Sequence, residues 1–264
     1  MTDLENDLAE LLPDSSTGSV ACWHEGSLHW ERTGRPVCAI AAQALGMIGA
    51  KGAAGRIAAL LKHSHPEARR EAATALGTLR ATEFTDRIGA LLEDVDDQIR
   101  ATAAWELGQL GAKAYSKRIA GLLVAHDEWY QNFHALWALA YLDAQDQVGV
   151  IRPFLKNENF DLRCQAALVL ARMGRKECAG EIAALLAEAD ESTTPSAVVA
   201  LRVLGAKDQA RALKRAALEN SDRMGAFRVP SEVPTERTER DVTLSQFVDE
   251  VLRGWGIDPK SLKD

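Results

Sequence analysis

Apolar side chains recur along the chain in two registers that repeat together about every 31 residues. One register is anchored on leucine: Ala44-Leu45-Gly46, Ala75-Leu76-Gly77, Glu106-Leu107-Gly108, Ala138-Leu139-Ala140, Val169-Leu170-Ala171 and Ala200-Leu201-Arg202. Successive anchors lie 31, 31, 32, 31 and 31 residues apart. The other register runs Ile57-Leu60-Leu61, Ile88-Leu91-Leu92, Ile119-Leu122-Leu123, Ile151-Phe154-Leu155 and Ile182-Leu185-Leu186. Apolar positions at i, i+3 and i+4 mark one face of a helix, so each period predicts two helices joined by short polar turns. The punctuation agrees. Pro36, Pro66 and Pro195 fall at or near the start of the leucine-bearing helix, where a missing N–H is tolerated. Gly49, Gly111, Gly174 and Gly205 fall near its end, where a left-handed cap is wanted. Asp and Asn fill the turns, as in Asp94-Val95-Asp96-Asp97 and Asn157-Glu158-Asn159.

A helix pair of this size cannot bury its own apolar face, and stacking six pairs side by side gives one continuous core. The composition fits. There are 44 alanines and 32 leucines, and aromatic residues make up only 6% of the chain, a balance that favours helix over sheet. The alanines acquire a purpose, since small side chains let neighbouring helices approach closely.

The repeat resembles the HEAT-repeat superfamily, specifically the short HEAT-like repeats of the phycobilisome lyase type. The resemblance rests on Ala68-Arg69…Ala72…Ala75-Leu76-Gly77, Ile99-Arg100…Ala103…Leu107-Gly108 and Leu162-Arg163…Ala166…Leu170-Ala171, and spans about residues 35 to 218. It implies an all-α fold, a right-handed α-solenoid of about six HEAT-like helix pairs with capping elements at both ends. It also implies that Arg69, Arg100 and Arg163 pair with turn carboxylates between units, with Asn132 a departure in the fourth repeat. The shared residues are structural and say little about function.

The organisation expected is an N-terminal helix and cap (1–34), the repeat array (35–218), a linker (219–242) and a C-terminal helix and tail (243–264). Residues 3 to 12 read as a short helix stopped before Pro13, and Ser15 to Ser19 as polar linker. Val20 to Trp30 fits a small hairpin or a degenerate capping helix, with the hairpin preferred and Trp23 and Trp30 covering the end of the array. Glu219 to Asp241 lacks helical periodicity. Thr243 to Arg253 is amphipathic, with Leu244, Phe247, Val248 and Val251 on one face, and either folds back onto the last repeat or serves as a tethered docking motif.

Charge and chemistry narrow the function classes. The net charge is -7, which argues against a protein that holds nucleic-acid phosphates. No apolar run reaches the roughly 18 to 20 residues of a membrane span, and the acidic start Met1–Asp7 is unlike a signal peptide. Cys22, Cys38, Cys164 and Cys178 have no metal-ligand spacing and read as reduced thiols, consistent with a cytoplasmic location. The sequence lacks GxxxxGK[ST], GxGxxG, HExxH and GxSxG motifs. Its one His-Glu pair, His24-Glu25, lies outside the repeats, and His63 and His65 sit in a turn. No metal or cofactor is expected.

The aromatic residues are gathered. Nine of the 15 lie between positions 105 and 160. A helical wheel centred on each anchoring leucine puts positions -9, -6, -5, -2 and +2 away from the core. In the second repeat that stripe is Glu67, Arg70, Glu71, Thr74 and Thr78, a plain solvated face. In the third it includes Trp105 and Gln109; in the fourth it is Tyr130, Phe133, His134, Trp137 and Tyr141; in the fifth it includes Gln165 and Arg172. The HEAT resemblance places this helix on the concave side. Aromatic residues on an outward face mark a contact surface or rings packed on one another, and the contact surface is preferred.

The function expected is therefore non-catalytic: a scaffold that grips a partner protein on its concave aromatic face, as an adaptor, a chaperone-like holder or a toxin-neutralising immunity protein. Glu106, Asp127, Glu128 and Asp161 would favour a basic partner. The alternative, from the resemblance, is a bilin lyase-like enzyme holding a tetrapyrrole on the same rings.

Overall fold

The computed structural model describes residues 3–13, 16–24, 27–124, 129–188, 193–220, 227–228 and 241–262, with the side chains of 17–34, 227, 228 and 241 outside that description. After α1 (Asp3–Glu10) comes an antiparallel hairpin, β1 (Thr17–His24) and β2 (Ser27–Pro36), in which Ala21 pairs with Trp30 and Cys22 with His29. Of the two forms that Val20 to Trp30 allowed, the backbone takes the hairpin. Its strands reach beyond that stretch, from Thr17, expected as linker, to Pro36. Val20, Cys22, Trp23, Trp30 and Thr33 are strand formers, which explains the choice. The capping role expected of Trp23 and Trp30 concerns side chains outside the described residues.

The leucine-bearing helices are α2 (Val37–Met47), α4 (Pro66–Thr78), α6 (Asp97–Gln109), α8 (Trp129–Tyr141), α10 (Phe160–Arg172) and α12 (Thr193–Leu204). Between and after them run the shorter α3 (Ala54–Ala59), α5 (Thr85–Ala90), α7 (Ser116–Ala120), α9 (Val148–Ile151), α11 (Ala179–Ala184) and α13 (Ala210–Asn220). Several of the short helices tighten into a 3₁₀ turn. Helix α9 does so after four residues, because Pro153 has no N–H to continue the α ladder. All six anchoring leucines, and Ile57, Ile88, Ile119, Ile151 and Ile182, are 0% exposed, so both registers of the sequence are core positions.

The chain divides into two compact units, Met1–Leu122 with Tyr130–Leu142, and Leu123–Trp129 with Asp143–Asp264. In the first, α2, α4 and α6 pack side by side, α3 and α5 lie against them, and α8 meets α6 where Gly108 lies against Ala138. In the second, α10 and α12 form the corresponding pair, with α11 against α12 and α13 beyond.

The turns are made as their residues dictate. Asp96 accepts from the Gln98 and Ile99 amides at the start of α6, and Asn159 does the same for α10. At the start of α4 the cap is an imidazole: His65 Nδ1 accepts from the Glu67 amide, ahead of Pro66. The backbone turns left-handed after the long helices, at Gly111 (φ 71°) and Gly174 (φ 70°), and also at Arg80 (φ 56°) and Asp143 (φ 51°), where no glycine signalled it.

The repeat arginines latch each unit to its own turn. Arg69 donates to the His63 and Ser64 carbonyls, Arg100 to those of Asp94 and Val95, and Arg163 to those of Asn157 and Glu158. Arg69 then reaches the Asp94 carboxylate with two bonds, at 2.7 and 2.9 Å, and Arg163 reaches Glu188. Arg100 finds Gln131 Oε1 instead, at 2.9 Å.

At the C-terminal end, α13 continues to Asn220, past the expected start of the linker, and β3 (Phe227–Arg228) pairs antiparallel with β4 (Asp241–Val242). Helix α14 (Leu244–Gly254) opens with a capping box between Thr243 and Gln246 and folds back onto α13 and α12, burying Leu244, Phe247, Val248, Val251 and Leu252.

Candidate partner-binding face

The first unit brings seven of the nine sequence-selected residues onto two adjoining helices: Trp105 and Gln109 on α6, and Tyr130, Phe133, His134, Trp137 and Tyr141 on α8. The rings touch. Trp105 stacks on Phe133 with centroids 6.4 Å apart, and stands edge-on to His134 and to Tyr141, each at 5.5 Å. His134 lies 4.2 Å from Tyr130 and 5.2 Å from Phe133. Each such pair adds roughly 0.5–1.5 kcal/mol beyond its burial. Gln165, half-buried, and Arg172, exposed, sit on α10 in the second unit.

Not every ring faces outward. Trp137, expected on the contact surface, is 1% exposed and packs against Tyr141 at 6.1 Å, so it belongs to the core. Trp105 holds the same wheel position on α6 and is half-buried, so the covering neighbours, and not the angle on the helix, decide. Glu71, Thr102, Cys164 and Leu168 also lie on the outward stripes of their helices and are buried too. What remains accessible is Tyr130, 36% exposed, with Trp105, Phe133, His134, Tyr141 and Gln109 half-buried.

The imidazole of His134 is set by its backbone. Nδ1 lies 2.7 Å from the Tyr130 carbonyl, which can only accept, so Nδ1 carries the proton and Nε2 keeps its lone pair. Burial holds the pKa of His134 below the ordinary histidine value, more than offsetting the hydrogen bond to that carbonyl.

Four neighbouring residues were missed. The stripe of α4, expected to be plainly solvated, is a network: Arg70 bonds Glu67 at 2.8 Å and Glu71 at 3.2 Å, and Arg35 joins Glu67 at 2.9 Å and Glu71 at 3.1 Å. Burial works to raise Glu67, but the hydrogen bonds and charge of Arg70, then of Arg35, hold it below its usual range. Burial pushes Glu71 up against the same two charges. The i, i+3 spacing of Glu67 and Arg70 was a visible signal; the approach of Arg35 was not.

Glu106 presents no charge to the surface. It is 8% exposed on α6, its carboxyl lies over Gly77, and burial, opposed by Arg80, pushes its pKa up to about 8. Asp127 and Glu128 lie outside the described residues, and Asp161 belongs to the second unit. Among the described residues no group of three His, Cys, Asp or Glu side chains is placed to hold a metal, and no helix is long and apolar enough to cross a membrane. His63 and His65 spend ring nitrogens on amides of their own turn, those of His65 and Glu67. Cys38, Cys164 and Cys178 are buried thiols.

Residues 35–108 match the sequence pattern of HEAT repeats. Among solved structures, the chain is similar to the complex of CpcE and CpcF of phycocyanin lyase from Nostoc sp. PCC7120, at 20% identity over 83% of this chain and 89% of that one, with a TM-score of 0.52. It is similar to importin beta at 12% identity and a TM-score of 0.62, covering 96% of this chain and 35% of that one. A third likeness is to YibA of Escherichia coli, at 16% identity over 97% and 93% of the two chains, with a TM-score of 0.55. No curated protein matches. At these identities the likeness is one of fold.

Proposed function

We propose that this chain, a HEAT-repeat protein, is a non-catalytic scaffold that grips a partner protein on the inner face of its array, through Trp105, Gln109, Tyr130, Phe133, His134 and Tyr141. The observation that carries the reading is the ring cluster itself. Trp105 and Tyr130 reach the surface, and neither the indole N–H nor the Tyr130 hydroxyl has a hydrogen-bond partner among the described residues. Aromatic side chains with an apolar body and an unspent donor are the type that dominates binding energy at interface centres, roughly 2 kcal/mol or more each. One of the similar structures is itself a complex of two chains, CpcE with CpcF. Adaptor, chaperone-like and immunity roles all use such a face, and its partner decides among them.

Bilin-lyase chemistry finds less support. It needs an acid–base pair on the groove, whereas His134 commits Nδ1 to a carbonyl and Glu106 is buried.

The test is a Trp105→Ala, Tyr130→Ala double variant of the intact chain. It is expected to keep its helical circular dichroism and melting temperature while losing capture of the native partner. Unchanged capture, or an unfolded variant, sinks the proposal.

A further inference from the structure

We propose that the short helices of the first unit form a further docking surface, on which Arg56, Arg87 and Arg118 receive an extended acidic segment of a partner protein. None of these residues belongs to the ring cluster, and the surface stands whether or not that cluster grips a partner. The three arginines lie 31 residues apart, each immediately before a buried isoleucine, Ile57, Ile88 or Ile119. One position of the repeat is therefore arginine on α3, α5 and α7 in turn, and all three residues are exposed. The row stops there, since Val150, Glu181 and Ala212 hold the position in the later repeats. The three helices adjoin. Residues of α3 and α5 line a groove of about 420 Å³ between them. On the other side of α5, the Tyr115 hydroxyl donates to Asp86 at 2.7 Å and Arg118 to the Gly89 carbonyl at 3.0 Å. The Arg87 guanidinium lies 5.5 Å from the centre of the Phe84 ring, and that of Arg118 5.4 Å from Tyr115. Phe84 and Tyr115 are themselves 31 residues apart, so a ring under the cation is part of the repeat.

The charge of this layer runs against that of the chain. Residues 51–62, 82–93 and 113–124 carry seven Lys and Arg against three Asp and Glu, a net +4 in a chain of net -7. Arg56 and Arg87 form no ion pair among the described residues, and neither do Lys51, Lys62, Lys113 and Lys117. Of the acids, Glu93 is paired with Arg118 at 2.9 Å, and Glu83 and Asp86 are outnumbered by those six cations. A carboxylate-bearing peptide fits the row better than a nucleic acid does. Guanidinium groups meet carboxylates fork to fork. Packed helix axes lie about 10 Å apart, which is about three residues of extended chain, so acids at every third position meet successive arginines. Double-stranded DNA carries a charge about every 1.7 Å, far denser than this row, and Asp86 stands in the groove against it. The groove is apolar at Ala58, Leu61 and Ala90, between Lys62 and Arg87, and takes a side chain of the segment.

The experiment titrates the intact chain into a dye-labelled peptide of repeated Glu-Val-Thr, about twelve residues long, by fluorescence anisotropy at about 50 and about 500 mM salt. Its Gln-Val-Thr and Lys-Val-Thr counterparts and a single-stranded oligothymidylate are the comparisons. The glutamate peptide is expected to bind at least about tenfold tighter than the others at low salt and to weaken at high salt. Arg56→Gln with Arg87→Gln is expected to weaken it at least about tenfold with an unchanged thermal melt, since both residues are exposed and unpaired. Lys176→Gln with Arg211→Gln removes as much exposed charge from the second unit and should leave binding as it was. Equal loss in that control overturns the inference, as does an affinity indifferent to Arg56 and Arg87. Tighter binding of oligothymidylate, of the lysine peptide or of the glutamine peptide overturns it too, and so does a glutamate peptide that fails to bind at low salt. Trp105→Ala should leave the peptide bound; its release would place the peptide on the ring cluster instead and sink the assignment to α3, α5 and α7.

Discussion

A side-chain carbon built on Gly108 would stand 2.7 Å from the Cα of Ala138, so the backbones of α6 and α8 meet there with nothing between them. Gly46 stands to Ala75 in the same way, at 2.9 Å. The glycine of the Ala-Leu-Gly pattern is thus a contact point between neighbouring helices. Because the obstructing atom is backbone, Gly108→Ala must push α8 away from α6, at a cost of about 1–3 kcal/mol, and pull Trp105 off Phe133. Gly55, with no atom within 4 Å of the same added carbon, is the control. Gly55→Ala should be neutral or stabilising by up to about 1 kcal/mol. Thermal melts and the near-ultraviolet circular dichroism of the rings compare the two; equal effects would show that close approach is not what the glycine supplies.

Glu106 takes the wheel position that Ala75 and Ala138 hold in the adjoining repeats, and its carboxyl fills the space over Gly77. Unfolded, that carboxyl releases its proton near pH 4.5; folded, it holds it to about 8. Between those values the native chain binds the extra proton, so its contribution to stability falls as pH rises through the window and is level above it. The loss is bounded at about 5 kcal/mol. Glu106→Gln keeps the shape without the ionisation. It should match the parent near pH 5, exceed it near pH 9, and flatten the pH dependence of denaturant melts between.

The Arg69–Asp94 pair is a bidentate contact between repeats, with side chains 13% and 8% exposed. Burial works to raise Asp94, but the Arg69 hydrogen bonds and charge carry it below its usual value of 3.8. A depressed acid stabilises the fold above its unfolded pKa, and that contribution is lost as pH falls below about 3.8. A lysine cannot reproduce the fork, so Arg69→Lys should cost about 1–3 kcal/mol at neutral pH and less in acid. Arg100→Lys is the contrast. Its partner is the neutral Gln131 Oε1, so its cost should not change with pH. Urea melts of both variants at neutral and acid pH separate a charged link from an uncharged one.

The period and the anchors were legible because each is local and repeated, so six copies average out the accidents of any one; of the three repeat arginines, Arg69 and Arg163 reach carboxylates as expected, while Arg100 reaches Gln131. The candidate face was legible only in part. A helical wheel gives Trp137 and Trp105 the same angle on their helices, but not that Trp137 alone is covered. Likewise Glu71 reads as solvated until Arg35, 36 residues away in sequence, is seen at 3.1 Å. The left-handed turns at Arg80 and Asp143 carried no glycine to announce them; Arg80 instead donates to the Gln109 carbonyl at 2.5 Å, a contact invisible in composition. Sequence reports which side chains share a face. It does not report what comes to lie against that face from elsewhere in the chain.

Helix α14 was such an arrival, and its attachment is open to measurement. Phe247 is 2% exposed, with the Arg202 guanidinium 5.7 Å above its ring, while Lys214 meets Asp249 at 3.4 Å and Lys207 donates to the Trp255 carbonyl at 2.9 Å. The polar contacts are partly exposed and contribute little, roughly 0–1 kcal/mol each. The buried face of Leu244, Phe247, Val248, Val251 and Leu252 therefore supplies most of the attachment. Phe247→Ala should cost about 3–5 kcal/mol through lost transfer and the cavity left behind, whereas Lys214→Ala should cost under about 1 kcal/mol. If helix and last repeat form one cooperative body, Phe247→Ala lowers the melting midpoint of the second unit. If instead α14 detaches alone, that midpoint holds while amide exchange in 244–254 rises to the level of an unprotected chain. The second result would mean that the apolar face of α14 closes the end of the array without stabilising it.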